Sequence, residues 1–176
     1  MTNQAGGFKH FGPTYPTTDY VRLGYEGTLN GIHNISPELV AAAAAANGEA
    51  NQELAGSFAA LSADGVTTAA DGGKDAIGLF REDLHDMVNA SGKATFYFRG
   101  GEYFIQEARL ADGAYAALNV GDLVTAGTNG KIRKAEDADR ALGTVTYKGL
   151  YKNGNMYEWA GDAMNGGNYL GIILHI

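Results

Sequence analysis

The stretch Leu118-Asn119-Val120-Gly121-Asp122-Leu123-Val124 constrains this chain more than any other, together with Thr128-Asn129-Gly130-Lys131-Ile132 and Ala138-Asp139-Arg140-Ala141-Leu142-Gly143-Thr144-Val145, which follow it. Gly121-Asp122 opens a strand, and Asn129-Gly130 supplies two residues that tolerate positive φ for a tight reversal. Ala141 to Val145 then begins another apolar strand after an acidic, solvated loop. Such a pattern builds a small β-barrel or β-roll, and none of its steps positions a nucleophile. Gly supplies 26 of the 176 residues and Pro only 3, which favours many turns and short strands over long helices.

The length suits one compact domain plus an arm. With 10 Tyr and 7 Phe, the chain carries enough apolar surface to offset the entropy of ordering it. The formal net charge of −7 argues against nucleic acid as a partner, because phosphate contacts need clustered Lys and Arg. The one basic trio, Lys131, Arg133 and Lys134, reads as a solvated hairpin followed at once by Glu136, Asp137 and Asp139. The absence of cysteine excludes disulfides, thiol catalysis and the usual structural zinc sites. Met1 to His10 has no apolar signal core, and no uncharged apolar run approaches the roughly 20 residues that cross a bilayer, so a soluble protein without membrane partner is expected.

Residues 1–31 mix Gly, Thr, Asn, Pro and Tyr, and only Asp19 to Tyr25 resembles a strand. Their aromatic residues suit an extended N-terminal arm laid across another surface, or an edge segment folded back on its own domain. We read Phe8, Phe11, Tyr15 and Tyr20 as the partner-binding residues of that arm. Residues 32–176 form the β-rich domain. Ser36-Pro37-Glu38 starts a helix that runs to Ala46, and a second is expected over Arg81 to Asn89, stopped by Gly92. Phe58 to Leu61, Val66 to Thr68 and Ala76 to Leu79 read as short strands. Ala94 to Phe98 and Tyr103 to Ala108 flank Gly100-Gly101 as a hairpin, and Asn153-Gly154 signals another between Tyr147 to Tyr151 and Met156 to Trp159. Tyr169 to Ile176 reads as a buried strand. The expected fold is therefore mainly β, a small β-barrel or β-roll core with two short helices and an extended N-terminal arm.

An internal echo links two stretches, about 58–79 and 115–146, as related β units. Phe58-Ala59-Ala60-Leu61, Gly73-Lys74 and Ala76-Ile77-Gly78-Leu79 parallel Tyr115-Ala116-Ala117-Leu118, Gly130-Lys131 and Ala141-Leu142-Gly143-Thr144.

No catalytic residue, cofactor site or metal site emerges from the sequence. His10, His33, His85 and His175 stand in no spacing that places two ring nitrogens on one helix face. No Ser occupies a Gly-x-Ser-x-Gly elbow, neither Gly-Lys pair is followed by Ser or Thr as a phosphate loop requires, and the acidic loops lack the alternating ligands of a calcium hand. The aromatic residues Phe96, Tyr97, Phe98, Tyr103 and Phe104 fall on both faces of their strands, so these must be covered on two sides, by the rest of the domain or by another chain.

The segment from Leu118 to about Thr146 resembles the head-decoration (capsid cement) modules of tailed bacteriophages. In those modules a Gly-Asp-Leu-Val strand, a polar turn ending in Gly-Lys, an acidic Ala/Asp loop and an apolar strand recur. The resemblance implies a virion structural protein and not an enzyme. Its partners would be the major capsid protein and sibling copies, a trimer among the assemblies allowed, on the capsid exterior after synthesis in the host cytoplasm. Two other readings stand beside it: a tail-tube or head-completion subunit, and a carbohydrate- or ligand-binding β-module using exposed Tyr and Trp159.

Overall fold

The computed structural model describes residues 21–23, 29–30, 33–45, 53–84, 87, 92–98, 101–150 and 168–176. The protein is mainly β, with two antiparallel sheets and one of them curled as half a barrel. The first sheet holds β2 (Leu29–Asn30), β6 (Phe96–Tyr97), β5 (Ala76–Phe80), β3 (Phe58–Ser62) and β4 (Gly65–Thr68), in that order. The second holds β1 (Val21–Leu23), β7 (Glu102–Gln106), β11 (Asn168–Leu174), β10 (Gly143–Leu150), β8 (Leu123–Ala126) and β9 (Ile132–Lys134).

Local chemistry explains most of these elements. The Ser36 hydroxyl accepts from the Leu39 amide at 3.3 Å and caps helix α1 (Pro37–Ala45), with Pro37 at the first helical position and Glu38 in the first turn. Leu84 and Met87 are helical and buried, and Gly92, at φ 66°, donates to the Met87 carbonyl to close that helix end. The remaining residues of the second expected helix lie outside the described ones. Asn129 and Gly130 adopt φ 57° and 73° in the turn joining β8 to β9, as the Asn-Gly pair demands. The C-terminal strand β11 lies between β7 and β10.

Three layers result. Apolar residues of both sheets, among them Phe58, Leu79, Tyr97, Val124, Val145 and Ile172, form a shared core. Behind the first sheet, Ala59, Val66, Phe80 and Phe96 pack with Ile35, Leu84, Met87 and Leu39 of α1 in a second core. The helical elements thus close one end of the stack.

The structure corrects three expectations. Gly100-Gly101 does not turn a hairpin, since β6 pairs with β5 and β2 whereas β7 pairs with β1 and β11. The chain crosses from one sheet to the other there. The reason is that both strands give an aromatic residue to one core: Tyr97 of β6 and Tyr103 of β7 meet across it at 4.9 Å between ring centroids, so the strands face each other in two sheets instead of pairing side by side. Gly101 answers close approach, because a Cβ on it would stand 2.8 Å from the Tyr103 hydroxyl. Second, Tyr115-Ala116-Ala117 lies in a short helix, α2 (Ala114–Ala117), entered through Gly113 at φ 73°, whereas Phe58-Ala59-Ala60 is strand. Third, Gly73 lies in the β4–β5 loop and Gly130 in the β8–β9 turn, so the two Gly-Lys pairs are not equivalent either.

Within the segment read as an arm, β1 pairs with β7 and β2 with β6, so these residues belong to the edges of the sheets. Residues 1–20 and the Asn153-Gly154 hairpin lie outside the described residues.

A different equivalence replaces the failed part of the echo. Strands β3 to β6 and β8 to β11 have the same order and the same register. Ala59 opposes Thr68 and Gly78 as Val124 opposes Lys134 and Gly143, and Leu79 opposes Tyr97 as Thr144 opposes Ile173. Outside the strands the backbone bonds repeat too. Gly56 donates to Phe80 and Gly121 to Val145, both at 2.9 Å, and Phe80 donates to Ser57 as Val145 does to Asp122, again at 2.9 Å. Gly56 and Gly121 share a positive φ, 87° and 93°. Ala76-Ile77-Gly78-Leu79 and Ala141-Leu142-Gly143-Thr144 therefore do correspond.

Candidate interaction surface

Phe8, Phe11, Tyr15 and Tyr20, the predicted partner-binding residues, lie outside the described residues. The basic trio on β9 and its preceding turn is engaged within the domain. Arg133, partly buried, binds Asp71 of the β4–β5 loop at 2.6 Å and Asp139 of the β9–β10 loop at 2.8 Å. Lys134 pairs with Asp122 at 2.9 Å, and Lys131 lies 4.0 Å from Glu53. The Arg133 bond holds the Asp139 carboxyl below the usual carboxylate range, helped by the Glu136 amide, and Lys134 with the Asn119 amide does the same for Asp122. Arg133 thus ties the β4–β5 loop of one β unit to β9 of the other, while Lys134 and Asp122 join β9 to the turn entering β8 within the second unit.

The β4–β5 loop reinforces the link. Gly72 donates to Ala126 and accepts from Arg140, and the Arg140 guanidinium donates to the Ala76 carbonyl at 2.9 Å. Gly73 sits so close to the second unit that a Cβ would meet Leu142 at 2.6 Å and the Thr125 hydroxyl at 2.7 Å. At the other side, Arg109, only 6% exposed, makes a two-pronged bond to Asp83 at 3.0 and 3.1 Å, and Asp83 also accepts from the Ala55 amide.

Among the described residues an exposed apolar row stands against this interlocked frame. Leu123, Thr144 and Ile173 are direct neighbours across β8, β10 and β11, so their side chains share the outer face of the second sheet. Leu123 is 46% exposed and Ile173 36%, and Val120, in the turn entering β8, is 64% exposed. The His175 ring lies 3.0 Å from the Thr144 hydroxyl beside them. Further along the same face Phe104 and Tyr169 are buried, and Phe104 meets Tyr147 edge-on at 5.7 Å. Sequence reading missed this row; extending the match of Gly78 with Gly143 back along the chain without a gap sets Leu123, and not Tyr115, opposite Phe58 and exposes the contrast.

Among the described residues no three His, Cys, Asp or Glu side chains group as a metal site, and no helix is long and apolar enough to cross a membrane. His33 stacks on Phe96 with ring centroids 6.4 Å apart. Compared with models of known protein families and with curated proteins, the chain matches none.

Proposed function

We propose that the chain is a virion structural protein that binds the outside of a phage capsid and stabilises contacts between major capsid subunits. One observation supports the reading. The segment Leu118 to Thr146, which carries the resemblance, forms a turn at Gly121, strand β8, the Asn129-Gly130 reversal, strand β9, a clasped acidic loop and the start of β10, in the order a decoration module would have.

The physics of such a role asks for a stiff domain and adhesive ends. Stiffness comes from two sheets sharing one core and from loops tied by Arg133, Arg140 and Arg109. Adhesion is assigned to the arm residues Phe8, Phe11, Tyr15 and Tyr20. Burying each large apolar side chain contributes roughly 1.5–3 kcal/mol, set against about 1–2 kcal/mol for each ordered residue. Weak individual attachment becomes effective through repetition over many lattice positions. The net charge of −7 suits the exterior, away from packaged DNA.

Co-sedimentation of the purified chain with undecorated capsids of its phage tests this. The full chain is expected to pellet with capsids. Replacing Phe8, Phe11 and Tyr15 together by Ser should cut bound protein at least about tenfold, equivalent to 1.4 kcal/mol or more. A wild-type chain that stays in the supernatant overturns the reading, and an undiminished triple variant removes attachment from the arm.

A further inference from the structure

The β8–β9 turn carries a chemistry that its fold holds back. Asn129-Gly130 is the Asn-Gly pair of this chain that lies wholly among the described residues, and Asn129 is exposed. An asparagine followed by glycine can close on itself. The Gly130 amide nitrogen gives up its proton to solvent hydroxide and bonds to the Asn129 side-chain carbonyl carbon, whose bond to the side-chain nitrogen breaks as ammonia leaves. Water then opens the resulting succinimide at one carbonyl or the other, giving aspartate or isoaspartate. Each event consumes one water and releases one ammonia.

The folded turn prevents that ring closure in two ways. The ring needs the Gly130 nitrogen on the same side as the Asn129 Cβ, nearly eclipsed with it about the Cα–C bond. At the observed ψ of 28° the nitrogen stands almost opposite the Cβ, so the reacting atoms are kept out of attack range. The same nitrogen also donates to the Gly127 carbonyl at 3.0 Å. Rotating Asn129 into the reactive conformation must move Gly130, which is buried. Gly130 seats against the first β unit, β3–β6: a Cβ on it would collide with the Phe58 carbonyl oxygen and lie 3.4 Å from the Ala69 nitrogen. Ala69 donates to that Phe58 oxygen at the base of the β3–β4 hairpin. The rotation therefore requires the turn to lift off the first unit.

We propose that Asn129 is a latent deamidation site, held unreactive while the β8–β9 turn sits on the first β unit and released when the turn opens. The isoaspartate product makes the change one-way. Aspartate at 129 keeps the backbone length and, like asparagine, accepts positive φ. Isoaspartate routes the chain through the side-chain carbon and adds one backbone atom before Gly130, so the turn no longer seats on Phe58 and Ala69. A transient local opening is thereby recorded in the covalent structure. The site is independent of where the chain attaches.

Ageing the purified full chain in mildly alkaline buffer, once folded and once in guanidinium chloride, tests it. Site-resolved mass spectrometry follows the conversion, because the chain holds other Asn-Gly pairs. Asn129 should react at least about tenfold more slowly in the folded chain, and its rate should rise in denaturant below the unfolding midpoint. Asn129→Gly, which accepts the same φ and removes the carboxamide, should abolish the mass change at this position. Chains aged in denaturant and refolded are then separated: those with isoaspartate at 129 should unfold at lower denaturant than wild type, and Asn129→Asp should match wild type. Equal rates in the folded and unfolded chain, a mass change that persists in Asn129→Gly, or isoaspartate chains as stable as wild type overturn the proposal.

Discussion

The unit β3–β6 and the unit β8–β11 share their register pair for pair, yet Phe58 lies in the middle of the core and its counterpart Leu123 on the surface. Hydrogen-bond register and burial are therefore set by different things. The register comes from turn geometry at Gly56 and Gly121 and from close strand approach at Gly78 and Gly143. Burial comes from position in the stack, because a face in the middle of three layers is covered and the same face at the end is not. The second unit tolerates Thr144 where the first has Leu79 for the same reason.

The comparison breaks most visibly at its buried member. Phe58→Ala should cost about 3–5 kcal/mol through the cavity it leaves, whereas Leu123→Ala should stay within about 0.5 kcal/mol. Urea unfolding of both variants measures this, and similar losses would mean that the two positions are not in the environments described. The glycines test the shared register instead. A Cβ on Gly78 would stand 2.3 Å from the Tyr97 carbonyl oxygen, and one on Gly143 would stand 2.6 Å from that of Ile173. Gly78→Ala and Gly143→Ala should therefore each destabilise by about 1–3 kcal/mol, in both units alike; a neutral change at either would break the equivalence.

The smallest effect sharpens how the units are joined. Asp122 and Asp139 have folded-state pKa values lowered by Lys134 and Arg133. Their stabilising contribution is present above the unfolded carboxylate value of about 3.9 and is lost as pH falls through the lowered folded values. Thermal unfolding should be nearly constant from about pH 7 to 5 and fall below about pH 4. Asp139→Asn should lower the midpoint at neutral pH and flatten part of the acid fall, and an unchanged acid limb would deny the Arg133 clasp any role.

Much of this frame was legible in the residues. Ser36-Pro37 marked α1, Asn129-Gly130 the β8–β9 reversal, and Gly78 and Gly143 a true correspondence. What misled was similarity of letters without similarity of surroundings. Phe58-Ala59-Ala60-Leu61 and Tyr115-Ala116-Ala117-Leu118 look alike, but Gly113 starts a helical turn before the latter and Gly121 defers the strand to Leu123. Gly100-Gly101 has hairpin chemistry, but Tyr97 and Tyr103 meet across the shared core, which sets β6 and β7 in facing sheets and not side by side. The apolar row at Leu123 and Ile173 was illegible for a related reason, since alternation in one strand does not reveal which face the rest of the chain leaves bare. The arm residues lie outside the described structure, and their assigned role rests on the aromatic residues set in a polar background.

The proposed function is tested most directly by electron microscopy of the virion to which it assigns the chain, at a resolution that shows strands. The account predicts the two-sheet domain on the outer surface of the capsid, in many copies, bridging neighbouring major capsid subunits. The same domain found in the tail tube, at the head-completion ring or nowhere on the particle would contradict it.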